Sequence, residues 1–459
     1  MNTRETSYAR SIANLIAHQI SQGTYATGQK LPSIRDYAKE NGCSNNTVIN
    51  AYDELTAKGL IEPRRGSGYF VTGASRAKAP DEEASSLGRT MDILWQIREQ
   101  MRNAPDSLHV GASLLPNEWV ATAELDKCAK KISHTTRLDT MPRYGTQFGY
   151  APLRHYLARR LASMAIEATP GQIILTHGAN GAMDIIITHF VRPGDTVLVD
   201  EPGYYPLFGK LKLRGVRIVG VPRLTDGPDV QALEQILRHT KPRLFFTQSL
   251  GHNPTASDTS PARARRILHL AEQHDLLIVE DDPFVDLKPD GMARISTLDQ
   301  LNRTIYIGSF SKTISASLRV GFIACHPDLA SELADVKTLI HVSSSEYCER
   351  AVEAIVTADS FRRNISRLRN RLESATEHAV KIFSQRGYTV FHEARQSLYL
   401  WASIPGFPDS MQLAREMMKQ NIVLAPGAIF QVDPQQVSPW ARYNVAYVSD
   451  PRFLASLPR

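Results

Sequence analysis

Apolar residues recur at helical spacing near the start of the chain. In residues 7–22, Ile12, Ile16 and Ile20 form one stripe, and the pattern stops at Gly23. Residues three or four positions apart lie on one face of a helix, so the stripe predicts an amphipathic helix with one buried side. A glycine just past the last periodic residue is a common helix end.

Two further helices are predicted from their capping residues. Ser33 precedes a short apolar pattern that stops at Gly42, and Ser44 precedes a longer one from about Asn45 to Lys58. A serine side chain accepts a hydrogen bond from a free amide of the first turn, so it stabilises a helix start. The sequence therefore predicts three helices within the first 60 residues.

A basic hairpin is predicted after the third helix. Residues 64–71 begin with Arg64 and Arg65 and contain a glycine-rich turn. Three helices and a two-stranded wing make a winged helix-turn-helix, whose third helix enters the major groove while the wing lies along the phosphates. The net charge of residues 1–75 is only +2, so a helical protein-interaction module is an alternative. The arginines at the wing, with Arg35 at a helix start, favour DNA binding.

Composition changes from residue 73 to about residue 100. Residues 74–83 are small and polar without periodicity, which is typical of a flexible linker, predicted here over residues 76–104. The predicted organisation is a first domain over residues 1–75, this linker, and a second domain over residues 105–459.

Strand-like and helix-like segments alternate in the second domain. The alternation predicts an α/β fold with a mainly parallel sheet and helices on its faces. The clearest strands are predicted at residues 173–176, 196–199, 243–247, 276–279 and 304–308. Ligands of such sheets bind beyond the carboxyl ends of the strands, so the residues that follow each strand are candidate site residues.

Each of these strands is followed by a group that can serve a ligand. In chain order the five groups are a helix start at residues 178–181, the ring of Tyr204, the amide of Asn253, the carboxylate of Asp281 and the amine of Lys312. Arg319, seven residues after Lys312, adds a guanidinium for a phosphate. Each alone has a structural explanation, such as packing, a turn or a helix cap. Together they suit a phosphorylated pyridine aldehyde, which needs a phosphate cradle, ring contacts, a carboxylate for its nitrogen and a nucleophilic amine.

Overall composition describes a soluble, globular, multidomain protein. The 459 residues are 42% hydrophobic and 22% charged, with a net charge of +6 that permits nucleic-acid binding. No run of 18 apolar residues occurs and residues 1–11 are polar, so neither a membrane span nor a secretory signal is predicted. The four cysteines lack CxxC spacing, which argues against a disulfide framework or a metal site and suits the reducing cytoplasm.

The first domain resembles the DNA-binding domain of the GntR family. The matching motifs are Lys30-Leu31-Pro32-Ser33-Ile34-Arg35, Ser44-Asn45-Asn46-Thr47-Val48, Gly59-Leu60-Ile61 and Gly66-Ser67-Gly68-Tyr69-Phe70. The resemblance implies a double-stranded DNA operator as partner, with Arg35 and the wing on phosphates and residues 45–47 facing bases. The DNA-binding residues it implies are Ser33, Arg35, Ser44, Asn45, Asn46, Thr47, Arg64, Arg65 and Gly66.

Residues 105–459 resemble a fold-type I aminotransferase, and the order of the two parts resembles the MocR subfamily of bacterial regulators. The resemblance implies pyridoxal 5'-phosphate as cofactor and a homodimer. Lys312 would bind the cofactor aldehyde, Asp281 its ring nitrogen and Asn253 its phenolic oxygen, while Tyr204 would stack on the ring. Its phosphate would be held by Gly178, Ala179, Asn180, Ser309, Ser311 and Arg319. Tyr144 would reach the partner subunit's phosphate, and Arg442 would bind a substrate α-carboxylate.

One position departs from the family pattern. Members carry a tyrosine shortly after the Asp281 equivalent, whereas Asp281-Asp282-Pro283-Phe284 has a phenylalanine there, which argues against efficient transamination. We therefore expect a transcription regulator that senses a small amino compound or the cofactor itself. The alternatives are a true aminotransferase acting on an amino acid and a regulator whose large domain is only a dimerisation scaffold.

Overall fold

The protein was analysed as a computed structural model. It describes residues 28–40, 43–57, 60–64, 67–72, 106–120, 143–289 and 291–458, together with positions 9, 12, 13, 16, 20, 25, 98, 127 and 130. The chain divides into two compact units, Met1–Ser85 and Ser86–Arg459. Among the described residues, no helix is both long and apolar enough to cross a membrane. The predicted linker, position 98 excepted, lies outside the described residues, and its boundaries stay predictions.

The small unit contains helices and one hairpin. Its described elements are α1 (Ile34–Glu40), α2 (Asn45–Ala57), β1 (Ile61–Arg64) and β2 (Gly68–Val71). The five described positions of the predicted first helix, residues 9, 12, 13, 16 and 20, are helical. The predicted helix ends at Gly23, Gly42 and Lys58 lie outside the described residues.

Serine caps start both described helices of the small unit. Ser33 Oγ accepts a hydrogen bond from the Asp36 amide at 3.2 Å, and Ser44 Oγ accepts one from the Thr47 amide at 3.1 Å. The apolar faces of the helices then pack on the hairpin around Tyr52, which is fully buried. Capping satisfies the free amides of the first turn, while burial of the apolar stripe supplies most of the stability.

The large unit is built on an eight-stranded sheet. Its strands are β3 (Ile173–Thr176), β4 (Thr196–Glu201), β5 (Arg217–Leu224), β6 (Gly227–Pro228), β7 (Leu244–Thr247), β8 (Leu277–Asp282), β9 (Thr304–Ser309) and β10 (Gly321–Ala324). They lie in the order β3-β10-β9-β8-β7-β4-β5-β6. Strands β9, β8, β7, β4 and β5 pair in parallel, whereas β10 is antiparallel to both of its neighbours.

Helices cover this sheet and continue into a smaller layer. They are α3 (Ala151–Ala162), α4 (Gly178–Phe190), α5 (Tyr205–Leu213), α6 (Val230–His239), α7 (Pro261–Gln273), α8 (Ile295–Asp299), α9 (Pro327–His341), α10 (Glu346–Val356), α11 (Asp359–Gln385), α12 (Ser410–Met418) and α13 (Pro451–Ser456). The smaller layer has an antiparallel sheet in the order β11-β12-β14-β13. Its strands are β11 (Thr389–Val390), β12 (Tyr399–Ser403), β13 (Ala425–Pro426) and β14 (Trp440–Asn444).

The predicted fold class is confirmed, and all five predicted strands are present. The largest difference is at β8, which continues through Asp282 instead of ending near Val279. Acidic residues are rare in central strands, but these have buried partners: Asp282 accepts hydrogen bonds from Arg294 and Tyr306. Paired charges can occupy a central strand, so the strand continues to the site.

Candidate functional site

The parallel strands bring the predicted ligand-binding groups to one edge of the sheet. Asp281, in β8, is aligned with Ile307 of β9, and β7 flanks β8 on the other side. The segment after β9 carries Lys312, and the segment after β7 carries Asn253. Asp281 therefore lies on the strand between the two that lead to the lysine and the amide.

Lys312 is held by a backbone carbonyl from the start of the large unit. Its Nζ donates a hydrogen bond to Ser113 O at 2.6 Å. Burial, followed by the charge of Arg442, lowers the pKa of Lys312 to about 7, and Asp281 opposes this shift. Near neutral pH a large fraction of the amine is thus unprotonated, which is the nucleophilic form.

Asp281 presents one free carboxylate oxygen. Its Oδ2 accepts a hydrogen bond from Gln248 Nε2 at 2.6 Å, whereas its buried Oδ1 has no partner within the described part of the chain. Burial raises the pKa of Asp281 to about 7, and the Gln248 contact opposes the shift. A buried carboxylate with an unsatisfied oxygen suits a protonated ring nitrogen, which would lower that pKa.

Gln248 connects the two groups that would face the ring. Gln248 Nε2 donates to Asp281, and Gln248 Oε1 accepts a hydrogen bond from the backbone amide of Asn253 at 2.7 Å. The backbone amide of Gln248 donates to Asp200 Oδ2 at 3.1 Å. The side chain therefore sets the spacing between Asp281 and Asn253.

Arg442 lies inside the same site. It is buried, with its guanidinium 4.8 Å from the centroid of the Tyr399 ring and 5.0 Å from that of Phe430. Its Nη1 donates to Asn253 Oδ1 at 2.7 Å, and its Nη2 donates to Gly111 O at 2.7 Å. With Oδ1 used as acceptor, the Asn253 Nδ2 remains a donor for a phenolic oxygen.

A phosphate cradle lies at the first turn of α4. Arg319, which is exposed, donates from Nη2 to His177 O at 3.1 Å. The φ of Gly178 is +68°, a conformation that favours glycine, and a Cβ atom there would lie 3.0 Å from that nitrogen and displace the Arg319 side chain. Ser309 Oγ and Ser311 Oγ lie 3.1 Å apart at the end of β9. Free amides and a guanidinium at a helix start suit a phosphate.

Tyr204 and Phe284 lie beside this set. Asn180 Nδ2 donates to Tyr204 Oη at 3.3 Å, so the tyrosine ring is tied to the first turn of α4. Phe284 is buried, and its ring packs edge-to-face on Tyr399 with the centroids 5.8 Å apart. Lys312, Asp281, Asn253 and the phosphate cradle together offer the groups that pyridoxal phosphate requires, so the residues present fit this cofactor.

Tyr144 stands apart from the other predicted site residues. Its side chain is 83% exposed. The next residue, Gly145, packs beside Ser344 and Glu346, at the connection between α9 and α10. This exposure is compatible with a contact to a second subunit, which stays a prediction.

The predicted DNA-binding residues differ in their accessibility. Ser33, Arg35, Ser44, Asn45 and Asn46 are all exposed. Arg64 donates to Glu62 Oε1 at 2.9 Å and stacks on Phe70, which holds it to the wing. Arg65 and Gly66 lie outside the described residues.

Thr47 offers little surface for a base contact. It is buried, and its hydroxyl lies 2.8 Å from Ser44 Oγ. Asn50, four residues after Asn46 on α2, is exposed and was not among the predicted residues. Helical spacing places it on the face of Asn46, so spacing alone would have indicated it.

Three features of the large-unit site were missed from the sequence. Gln248 directly follows β7, and its polar side chain at a strand end was the available signal. Asn444, at the end of β14, donates from Nδ2 to Ala112 O at 3.1 Å and to Leu114 O at 2.7 Å. The backbone carbonyls of residues 111–114 could not be identified from the sequence, because every residue type has the same backbone carbonyl.

Comparisons with known families agree with this geometry. Residues 108–453 match the family described as aminotransferase class I and II, and residues 8–71 match the bacterial regulatory proteins of the gntR family. The first match alone spans most of the chain.

Relatives share both parts of the chain. The HTH-type transcriptional regulator YjiR of Escherichia coli is 29% identical over 430 residues, which cover 91% of each chain. The probable rhizopine catabolism regulatory protein MocR of Rhizobium meliloti is 29% identical over 421 residues, covering 88% of this chain and 80% of that one.

Solved structures support the fold of the large unit. LysN, an α-aminoadipate aminotransferase from Thermus thermophilus crystallised with N-(5'-phosphopyridoxyl)-L-leucine, aligns with a TM-score of 0.72. The alignment covers 81% of this chain and 97% of that one at 22% identity, a likeness that shows the fold alone. With these matches, the chain belongs to the aminotransferase class I and II family and, through its GntR-type first domain, to the MocR subfamily of regulators.

Proposed function

We propose that the protein is a pyridoxal phosphate-dependent transcription regulator, which binds DNA through its first domain and senses an amino compound at Lys312. The observation that carries the proposal is the hydrogen bonding of residues 111–114, which follow the predicted linker. Their carbonyls accept hydrogen bonds from Lys312, Arg442 and Asn444. The ligand-binding side chains thus contact the segment that leads to the DNA-binding domain. This segment is also held by backbone hydrogen bonds between Leu108 and Gly111 on one side and Asn421 and Val423 on the other.

Each residue has a defined task in ligand binding. Bound pyridoxal phosphate would supply an aldehyde for the amine of Lys312 or of a ligand, and a ring that withdraws electrons. Asp281 would hold the ring nitrogen in its protonated form, and Asn253 Nδ2 would donate to the phenolic oxygen. Arg442, whose guanidinium already contacts Asn253, would take the carboxylate of an amino-acid ligand in a forked contact.

Ligand binding would compete with the contacts of residues 111–114. Lys312 would engage the aldehyde of bound cofactor and lose its bond to Ser113 O before an amino compound arrives. An amino compound that takes the aldehyde would release the lysine amine, and its carboxylate on Arg442 would replace the bond from Arg442 to Gly111 O. A ligand shifts a conformational equilibrium by its differential affinity for the two states, and here the exchange of the Arg442 and Lys312 contacts would provide that difference.

The first experiment tests the cofactor assignment on the full-length protein. The purified wild type should show the visible absorbance of bound pyridoxal phosphate, and borohydride reduction followed by peptide mapping should place the adduct on Lys312. Lys312→Ala should show neither. An adduct on another lysine would contradict the assignment, and absence of any adduct would favour the scaffold alternative.

A second experiment tests the coupling between ligand and DNA. Operator affinity, with an operator selected from random DNA, is measured across a panel of amino acids. Hydrogen exchange of residues 106–120 is followed in the same samples. An active amino acid should increase exchange in this segment and change operator affinity. Asn444→Asp, which removes another side-chain donor to this segment, should likewise increase its exchange, whereas Asn302→Asp on the surface should not. Unchanged exchange with changed affinity would disprove the proposed route.

We also propose a homodimer. Leu339, Ile340 and Val342 are exposed apolar residues at the end of α9, and the connection that follows packs beside Gly145, next to the exposed Tyr144. A contiguous exposed apolar patch commonly marks an interface. Its position next to Tyr144 agrees with a site completed by the partner subunit.

Aminotransferase activity is the second candidate. The intact set of Lys312, Asp281, Asn253 and Arg442 favours it, while Phe284 argues against rapid turnover. Steady conversion of an amino acid and a keto acid by the wild type would make catalysis the main activity.

A further inference from the structure

A second cavity lies on the large unit, between α3 and the first turns of α11. Its volume is about 720 Å³, and its described lining shares no residue with the predicted cofactor site. Its polar lining includes Tyr156, Arg159, Arg160, Asp286, Arg362 and Arg369. The volume lies within the range of about 300–1,000 Å³ that is typical of small-molecule sites.

Helical periodicity places the arginines around this cavity. Tyr156, Arg159 and Arg160 are spaced three and four residues apart, so they lie on one face of α3. Arg362 and Arg369 are seven residues apart, about two turns, on one face of α11. Two helices thus turn cationic faces toward the same space.

The charge of the lining is strongly unbalanced. Its four arginines are opposed by one carboxylate, that of Asp286, which is buried and accepts from Arg160 Nε at 3.1 Å. Arg369 is fixed to the same loop, because it donates from Nε to Asp286 O at 2.9 Å. Arg160 and Arg369 form the inner wall of the cavity. With four arginines and one carboxylate, the lining has excess positive charge.

Arg159 and Arg362 form the accessible rim. Both side chains reach solvent, and Arg362 forms a 3.8 Å ion pair with Asp359, in which both side chains are 85% exposed. Such a pair contributes little, so an anion can displace it at small cost. Burial and Asp286 raise the pKa of Tyr156 to about 12, so the Tyr156 hydroxyl in the cavity lining stays a neutral hydrogen-bond donor.

The remaining lining is apolar. Val356, Phe361 and Ile365 are buried residues that form part of the wall. An inorganic ion would leave this surface without a partner, whereas an organic body would cover it. We infer that the cavity binds a small organic anion with at least two negative charges, a phosphate ester or a di- or tricarboxylate.

The site has a route to the cofactor lysine. Asp286 Oδ2 lies 3.5 Å from the hydroxyl of Thr313, the residue after Lys312. An anion that attracts Arg160 weakens the ion pair between Arg160 and Asp286. The Asp286 carboxylate in turn contacts the segment that carries Lys312 and Thr313. Occupancy of the cavity should therefore change the environment of Lys312.

Binding is tested on the full-length protein saturated with pyridoxal phosphate, so that the phosphate cradle is filled. Calorimetric titration with citrate and with pyrophosphate, at fixed ionic strength, should find one site per chain for citrate and weaker binding of pyrophosphate. Arg362→Gln and Arg159→Gln should each weaken citrate binding about tenfold or more, the loss expected from one charge-assisted hydrogen bond. Arg363→Gln, an equal charge change on the neighbouring exposed residue outside the lining, should leave binding intact.

Three results would overturn the inference. The first is absence of citrate binding, and the second is an equal loss in the Arg362→Gln and Arg363→Gln variants. The third is displacement of citrate by a random-sequence DNA duplex whose own affinity falls only in Arg362→Gln, which would make the cavity part of a DNA surface. Thermal unfolding of each variant verifies that the fold is retained, and Arg319→Gln verifies that citrate does not occupy the cradle.

Discussion

In the proposed function, Phe284 is the residue that we expect to distinguish a regulator from an efficient enzyme. A tyrosine hydroxyl there would donate to the phenolic oxygen of the cofactor and favour its ionised form. In the structure the phenylalanine ring is buried, and it packs edge-to-face on Tyr399. Asn253 would then be the main donor to the phenolic oxygen, and we expect slow exchange and long residence of a ligand.

We expect Phe284→Tyr to lower the pH at which the visible band of the bound cofactor titrates. The added hydroxyl would stabilise the ionised phenolic oxygen and so assist loss of the proton from the nitrogen that joins Lys312 to the cofactor. Spectroscopic titration of wild type and variant measures the shift, and Phe190→Tyr, at the far end of α4, is the matched control. Identical titrations, with brisk transamination by the wild type, would contradict the role given to Phe284.

Asp281 should make the cofactor-free protein sensitive to pH. Its pKa is about 7 when folded and about 3.9 in an unfolded chain, so the folded state binds the proton more tightly. The stability it contributes is complete below about pH 4 and is lost as the pH rises through 7. Between these two pH values the contribution of Asp281 to the free energy of unfolding falls by about 4 kcal/mol at most.

Asp281→Asn removes this titration and still accepts the Gln248 hydrogen bond. The free energy of unfolding of the variant, relative to wild type, should therefore rise between pH 4 and 7 and level off above 7. Urea unfolding of the cofactor-free proteins measures the difference, with Asp275→Asn, whose side chain is 95% exposed, as the control. Parallel stability curves for wild type and Asp281→Asn would refute the raised pKa.

At the scale of elements, we expect α1, α2 and the wing to contact DNA in different ways. Arg35 is exposed at the start of α1, and Asn46 is exposed in the first turn of α2. A phosphate contact contributes affinity without sequence information, whereas a bidentate contact to a base edge contributes specificity. The two substitutions should therefore have different signatures.

Arg35→Ala should weaken binding to all duplexes and reduce the slope of log affinity against log salt by about one. Arg35→Lys should retain most of this slope. Asn46→Ala should relax the preference at particular base pairs by about 1–3 kcal/mol if its contact is bidentate. Fluorescence anisotropy over a salt series, with the operator and single-base variants, separates the two effects. An unchanged slope in Arg35→Ala would disprove this docking.

At the scale of the whole molecule, the exposed apolar patch at the end of α9 predicts the quaternary structure. Leu339 is 88% exposed there, and Leu213, at the end of α5, is 65% exposed elsewhere on the large unit. Leu339→Asp should place a charge in the proposed interface and yield monomers in analytical ultracentrifugation, whereas Leu213→Asp should remain dimeric. Cofactor should also dissociate faster from Leu339→Asp. A monomeric wild type would refute the homodimer.

The sequence by itself determined the fold class and the order of the candidate site residues along the chain, because these depend on local pattern. Apolar periodicity and capping serines indicated α1 and α2, and the five strands with Gly178, Asn253, Asp281 and Lys312 at their ends could be predicted in order. Parallel strands bring their carboxyl ends to one edge, so chain order sufficed to group these residues.

Only the tertiary structure decided how those residues are held. The bonds from Lys312 and Arg442 to the carbonyls of residues 111–114 join segments about 200 and 330 positions apart, and carbonyls have no signature in sequence. The extension of β8 through Asp282 likewise depends on Arg294 and Tyr306, which fold against it from later elements. Local propensity sets the elements, whereas burial and pairing of polar groups depend on which distant segments meet.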